Sequence, residues 1–222
     1  MRRRTFVATT ATLGTALVAG CSGSGGGSDG STGSGTFNLM ISDQPAAIED
    51  FDSLNVTLSA ARVFRADEDE ELSPRVVNET TNETTASSDD DPEESADDGS
   101  DGVVEFDLDS VTVDLTKVKG DRAVSVVEGE LDAGRYSGIE LRVSNAEGVV
   151  DGETVDVMVP SNRLRIIRPF EIGADEELNF VFDINVIQKG PRGGYNLLPV
   201  IGKSGVAGED VDVEEVDIED AE

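Results

Sequence analysis

A period of two constrains this chain more than any other feature. Between Leu178 and Val186 an apolar residue stands at every second position: Leu178, Phe180, Phe182, Ile184 and Val186. That is the spacing of one face of a β-strand; the apolar stripe of a helix recurs every three to four residues. Shorter runs repeat the pattern at Phe37-Leu39-Ile41, Leu54-Val56-Leu58, Val104-Phe106-Leu108, Val111-Val113-Leu115 and Ile139-Leu141-Val143. Ala123 to Val127 reads as a further short strand, and Leu164, Ile166 and Ile167 as one that precedes Pro169. Asp151-Gly152, between Val149-Val150 and Val155-Val157-Val159, is a hairpin signal, because both residues tolerate positive φ. No stretch carries a helix of three turns.

Many short strands at such spacing predict an all-β domain. The expected form is an antiparallel β-sandwich, immunoglobulin- or transthyretin-like, or a related barrel. The longest run, Leu178 to Val186, belongs in the middle of a sheet. Residues 36–207 make one domain, interrupted at 67–102 by an acidic insertion. That insertion holds Glu68-Asp69-Glu70-Glu71 and Asp89-Asp90-Asp91-Pro92-Glu93-Glu94, with only Leu72, Val76 and Val77 as sizeable apolar residues. Such a segment buries too little to offset its ordering entropy and is expected to be a disordered loop. Residues 208–222 read as an acidic tail, the alternative being a ragged edge strand through Val211, Val213, Val216 and Ile218.

The first 20 residues read as an export leader. Arg2-Arg3-Arg4 supplies the positive start, and Phe6 to Ala19 an apolar stretch too short to span a bilayer, which takes roughly 20 apolar residues. Arg3, Arg4 and Phe6 follow the twin-arginine pattern, a receptor-read address. Leu17-Val18-Ala19-Gly20-Cys21 resembles a lipobox, which makes Cys21 the lipid-bearing first residue of the mature chain; the alternative is an ordinary leader that happens to contain a cysteine. Cys21 is the only cysteine, so no intramolecular disulfide can form. Residues 21–35 are a Gly/Ser tether with a root-mean-square span of about 20 Å. The expected location is the outer face of the cytoplasmic membrane.

Charge narrows the setting and the partners. Residues 1–20 hold three arginines and no acid, so the chain from Cys21 carries 14 basic and 47 acidic residues, a net charge of −33. Self-repulsion at that charge destabilises a compact state in dilute buffer, and molar salt screens it over about 3 Å. The lysines are Lys117, Lys119, Lys189 and Lys203. The pattern looks like a lipoprotein of halophilic archaea. Phosphate recognition needs clustered Lys and Arg, so nucleic acid is an unsuitable partner.

The chemistry available is limited. With no histidine and no internal cysteine, serine–histidine and cysteine–histidine nucleophile systems and the usual zinc sites are excluded. There is no P-loop or dinucleotide fingerprint. Pairs of carboxylates can hydrolyse sugars, but with 47 acids some fall close by chance. Asp43, beside Pro45, is expected to cap a turn with its side chain. No cofactor is expected, and the acid runs at Asp89–Asp91 and Asp97–Asp98 suit only diffuse or weak calcium association, lacking the spacing of an EF-hand loop. Sequons at Asn55, Asn78 and Asn82 are glycosylation candidates in an exported protein.

Several segments together resemble the domain-of-unknown-function 4382 family. They are Leu39-Met40-Ile41-Ser42-Asp43-Gln44-Pro45, Val111-Thr112-Val113-Asp114-Leu115, Ala133-Gly134-Arg135-Tyr136 with Ile139-Glu140-Leu141-Arg142-Val143, then Pro160-Ser161 and Tyr195-Asn196-Leu197-Leu198-Pro199-Val200. The resemblance covers most of residues 36–205 and implies a secreted, often lipid-anchored domain. It brings no catalytic residue.

The expected function is therefore non-enzymatic: a membrane-anchored module for binding, adhesion or envelope structure, facing a surface protein or a glycan. A solute-binding component of a transporter and a carboxylate-based hydrolase are the alternatives. Arg135, Tyr136 and Arg142 are the candidate contact patch, since Arg and Tyr are enriched at interface hot spots. Against that, Tyr136 can simply pin its turn to the core and Arg142 pair with a nearby acid.

Overall fold

Two sheets face each other across one apolar core. The computed structural model describes residues 33–44, 47–66, 74–76, 102–190 and 194–221. The strands in chain order are β1 (Ser34–Asp43), β2 (Ser53–Arg65), β3 (Arg75–Val76), β4 (Val103–Asp114), β5 (Arg122–Asp132), β6 (Gly134–Val150) and β7 (Glu153–Val155). They continue with β8 (Val157–Met158), β9 (Arg163–Ile172), β10 (Glu177–Gln188), β11 (Tyr195–Pro199), β12 (Gly205–Val206) and β13 (Glu214–Val216). One sheet runs β13-β5-β1-β10-β11-β8 with β12 beside β10; the other runs β3-β9-β6-β2-β4 with β7 on β6. The helical turns among the described residues are 3₁₀ turns of three or four residues.

The all-β, two-sheet architecture is the expected one, and β10 sits inside its sheet between β1 and β11. Pairing in that sheet is mixed: β1–β10, β5–β13 and β8–β11 are parallel, while β1–β5, β10–β11 and β10–β12 are antiparallel. The alternation sets the core. Phe37, Leu39 and Ile41 of β1 meet Phe180, Phe182 and Ile184 of β10, all 0% exposed. Against them pack Leu54, Val56 and Val63 of β2 and Ile139 and Leu141 of β6. Phe170 stacks with both Phe37 and Tyr136.

Local irregularities explain where the reading by period strayed. The run at 104–108 and the run from 111 as far as Asp114 are one strand, β4, kinked at Asp109 and Ser110, whose φ values are 48° and 60°, and Leu115 opens a 3₁₀ turn. The β2 register shifts opposite that kink, between Leu58 and Ala60. β9 continues through Pro169, because its pairing with β6 slips between Tyr136 and Gly138 and a bulge tolerates a residue that cannot donate. The Asp151-Gly152 turn has φ of 52° and 74°, as a type I′ hairpin requires. It joins only β6 to β7; at Val157 the chain crosses to the other sheet and pairs with β11.

Three boundaries differ from expectation. β1 begins at Ser34, inside the segment read as tether. Within the insertion, Arg75 and Val76 pair with Ile167 and Ile166; residues 67–73 and 77–101 lie outside the described residues. The segment read as an acidic tail is docked through Ala221. Val211 and Val213 pack on Met40, Ala123 and Val181, Val216 pairs with Val124 in β13, and the Asp114 amide donates to the Ala221 carbonyl at 2.6 Å. Its apolar residues alternate among acids, so a solvated strand edge and a free tail have the same composition; the landing surface decides between them.

Candidate functional site: a cleft over a buried carboxylate pair

Docking of the C-terminal segment makes the site. β1 and β10 turn one face to the core and the other to Ala207, Val211 and Val213, while Gly205 and Val206 pair with the edge of β10 as β12. On this outer face Met40 stands opposite Val181, and one step further Ser42 stands opposite Asp183. An outer strand face normally meets water, yet Asn38, Met40, Ser42, Val181 and Asp183 are all buried. The polar ones are tied together. Asn38 donates to Asn179 at 2.8 Å, and Ser125 donates to the Asn38 side-chain oxygen at 2.5 Å. Ser42 donates to Asp183 Oδ2 at 2.7 Å, and the Asp183 amide donates to Ser204 Oγ at 2.9 Å.

Asp183 is 1% exposed, and its Oδ1 has no partner in the described protein. Burial raises its pKa to about 7, against the opposing effects of the Ser42 hydrogen bond and the Lys203 charge. It forms part of the lining of a cleft of about 230 Å³, with Ser42, Asp121, Lys203, Asp210 and Asp212 among the other lining residues. Arg168 reaches across to ion-pair with Asp210, which clamps the C-terminal segment to β9. Gly205 permits the clamp: its φ is +149°, and a Cβ there would stand 2.5 Å from the Asp210 side chain.

Asp43 is the second buried acid. It follows Ile41 on the core-facing side of β1, is 0% exposed, and neither carboxylate oxygen finds a hydrogen bond. The expected turn-capping role is not what its side chain does; only its backbone ties the turn, accepting from Gly120 at 2.8 Å and donating to the Val118 carbonyl at 3.0 Å. Burial first, and then the neighbouring Asp183, raise its pKa to about 8, with Lys119 opposing. At neutral pH one or both acids carry a proton.

The sequence-predicted contact patch divides. Arg135 and Arg142 are exposed on β6. Arg142 borders a shallow concavity with Ser59, Ser161 and Asn162. Tyr136 is 0% exposed and therefore not a surface contact. Its hydroxyl donates to the Asp132 carbonyl at 2.8 Å, its ring stacks on Phe170 at 5.3 Å, and the Arg65 guanidinium lies 5.5 Å above it. Tyr136 pins the β5–β6 turn to the core. Asn55 alternates with buried Leu54 and Val56 and is half-buried on the outer face of β2. Cys21, Arg3, Arg4, Phe6, Asn78, Asn82 and the acid runs at 89–91 and 97–98 lie outside the described residues. Among the described residues no group of three or more acids is arranged to hold a metal ion, and no helix is long and apolar enough to cross a membrane.

Reading by period missed Asp183 because an acid between Phe182 and Ile184 looks like an outward residue of a half-buried strand. The available signal was its neighbour. Val181 and Met40 share that face, and two apolar residues outside a sheet imply a cover, for which Val211, Val213, Val216 and Ile218 of the C-terminal segment were the candidates.

The comparisons with known proteins add the family. The family model described as Domain of unknown function (DUF4382) matches residues 34–199. No curated protein and no solved structure matches the chain.

Proposed function

This chain belongs to the family described as domain of unknown function 4382, and from that premise we propose that it is an exported, lipid-anchored binding protein whose β-sandwich takes a ligand in the cleft at Asp183. The observation that carries the reading is Asp183 itself. A buried carboxylate oxygen without a hydrogen-bond partner is uncommon in a native fold, and this one belongs to a residue lining a cleft. Export and anchoring rest on Arg3, Arg4, Phe6 and Cys21; the tether from Cys21 to the start of β1 at Ser34 then holds the sandwich near the membrane.

One observation favours a second reading, a carboxylate hydrolase: Asp43 and Asp183 are neighbouring acids with raised pKa values. Its difficulty is geometric. Asp43 follows the core-facing alternation of β1 and is not part of the cleft lining, so one substrate in the cleft does not meet both acids.

The test uses intact cells in their native salt. The Cys21→Ser protein is expected in the soluble fraction and the wild type in the membrane fraction. Partners retained by the wild type are expected to be lost from Asp183→Asn. Turnover of glycosidase, esterase or peptidase substrates that vanished in Asp43→Asn and Asp183→Asn alike would favour the hydrolase instead.

A further inference from the structure

We propose that the cleft at Asp183 binds a primary alkylammonium group, the head of a free diamine or of a lysine side chain. The inference rests on the reading of this cleft as the ligand site and names the ligand's chemistry.

Charge selects a cation. Asp121, Asp183, Asp210 and Asp212 line the cleft against one cation, Lys203, and Arg168 offsets Asp210 from outside it. A cleft lined by one sign of charge concentrates the opposite ion. Geometry then selects the kind of cation. Calcium takes six to eight oxygens at fixed distance, and no described group of three or more acids offers that arrangement. An ammonium group needs acceptors only at hydrogen-bond range for three donors. Asp183 lines the cleft, and its Oδ1 is covered and lacks a donor, while Oδ2 is already held by Ser42.

The walls are mainly polar and leave room for only a short alkyl stem. Val211 and Val213 line the same cleft, and a methylene chain lies along apolar surface as the stem of a lysine does. The volume of about 230 Å³ accommodates roughly seven non-hydrogen atoms at about 30 Å³ each. Butylammonium and putrescine are of that size.

Protonation gives a second readout. Burial raises the pKa of Asp183 to about 7, so below that pH a bound cation must displace a proton. Affinity should fall about tenfold for each unit below pH 7, with proton release on binding. The other titratable or charged groups around Asp183 are Asp43 from β1, Asp121, Lys203, Asp210 paired to Arg168, and Asp212.

The experiment is calorimetric titration of the purified full chain in molar potassium chloride. The probes are butylammonium, putrescine, a lysine-containing peptide and neutral 1,4-butanediol. Saturable one-site binding of butylammonium is expected, at least tenfold weaker in Asp183→Asn and several-fold tighter in Lys203→Gln, which removes the competing internal cation. The peptide and putrescine arms separate a protein lysine from a free amine. Butanediol that binds as well as butylammonium overturns the proposal, as does unchanged amine affinity in Asp183→Asn. Should Asp183→Asn not fold, an amine affinity that Lys203→Gln leaves unchanged overturns it as well. If no amine binds while Asp183→Asn still abolishes partner retention on cells, the ligand class falls and the cleft reading stands; if neither effect appears, both fall.

Discussion

The two sheets have outer faces of opposite character. On the β2–β6–β9 sheet the outer face is open, and its charges answer one another. Arg62 pairs with Glu105 at 3.1 Å and Glu140 at 3.6 Å, and Arg165 lies 4.1 Å above the Phe64 ring. On the β5–β1–β10 sheet the corresponding face is covered by residues 207–213. Its acid Asp183 has a hydroxyl for a partner and, among the described residues, no cation at ion-pair distance. An open strand face tolerates charge because water and mobile side chains solvate it; a covered one leaves charge with whatever the fold supplies. Both faces leave buried polar atoms without a hydrogen bond, Arg62 Nε, Glu140 Oε1 and Arg165 Nε on the first and Asp183 Oδ1 on the second; the difference is that Glu140 has a cation at ion-pair distance and Asp183 lines the cleft.

Removing the cover tests the contrast most severely. Val206, Val211, Val213, Val216 and Ile218 are partly buried and Ala221 wholly so. At about 1 kcal/mol each, their loss comes to about 6 kcal/mol, a large share of the stability of a typical domain. A chain ending at Lys203 is expected to lose its cooperative unfolding transition by circular dichroism. A transition of unchanged midpoint would mean that residues 204–221 only rest on the sheet.

The buried acids come next, and their effect has a definite sign. A carboxyl whose folded pKa is raised binds its proton more tightly folded than unfolded. Stability therefore falls as pH rises from the unfolded value of 3.8 to folded values of about 7 for Asp183 and about 8 for Asp43. Below pH 4 the penalty is absent, and above pH 8 it is complete. Asp43→Asn and Asp183→Asn are expected to match the wild type near pH 4 and to exceed it by about 1–3 kcal/mol at pH 8. Denaturant melts at both pH values check this; variants less stable than wild type at pH 8 would show that the ionised pair is stabilising.

Glycine 205 is a smaller test of the same cover. Gly205→Ala places a Cβ against Asp210 at a φ of +149° and is expected to destabilise by about 1–2 kcal/mol. The Arg168–Asp210 clamp should loosen with it, which faster amide exchange in residues 205–213 would report. Unchanged exchange would separate the clamp from the glycine.

Legibility in the sequence followed the same division. The inner faces were plain, because Phe37-Leu39-Ile41 and Phe180-Phe182-Ile184 alternate strictly and nothing else competes for the core. The open face was readable too: Asn55 and Arg142 fall where alternation puts them. The covered face was not. Its cover is brought from far along the chain, and a parallel β1–β10 pairing that aligns Ser42 with Asp183 over 141 residues leaves no local signature. Tyr136 misled for a related reason. A turn tyrosine suits either a contact patch or a pin, and only the place of Phe170 and of the Asp132 carbonyl distinguishes them.

The smallest expected effect lies on the open face and shows why the covered one is unusual. Glu105 is about half exposed and Glu140 is almost wholly covered, yet both share Arg62. Glu105→Gln removes an exposed partner, and exposed pairs contribute about 0.2–1 kcal/mol before screening. In molar salt, with screening over about 3 Å, the change should approach zero; in dilute buffer it should remain measurable, superimposed on the general repulsion of an acidic chain. Arg62→Ala should behave differently, since it leaves Glu140 covered and without its cation, a loss that salt screens much less. Thermal melts of the two variants across a salt series decide the matter. Convergence of Glu105→Gln on the wild type at high salt, with Arg62→Ala still displaced, is the expected outcome. Convergence of both would mean that Glu140 is solvated in spite of its burial, and the contrast between the two faces would then rest on the cleft alone.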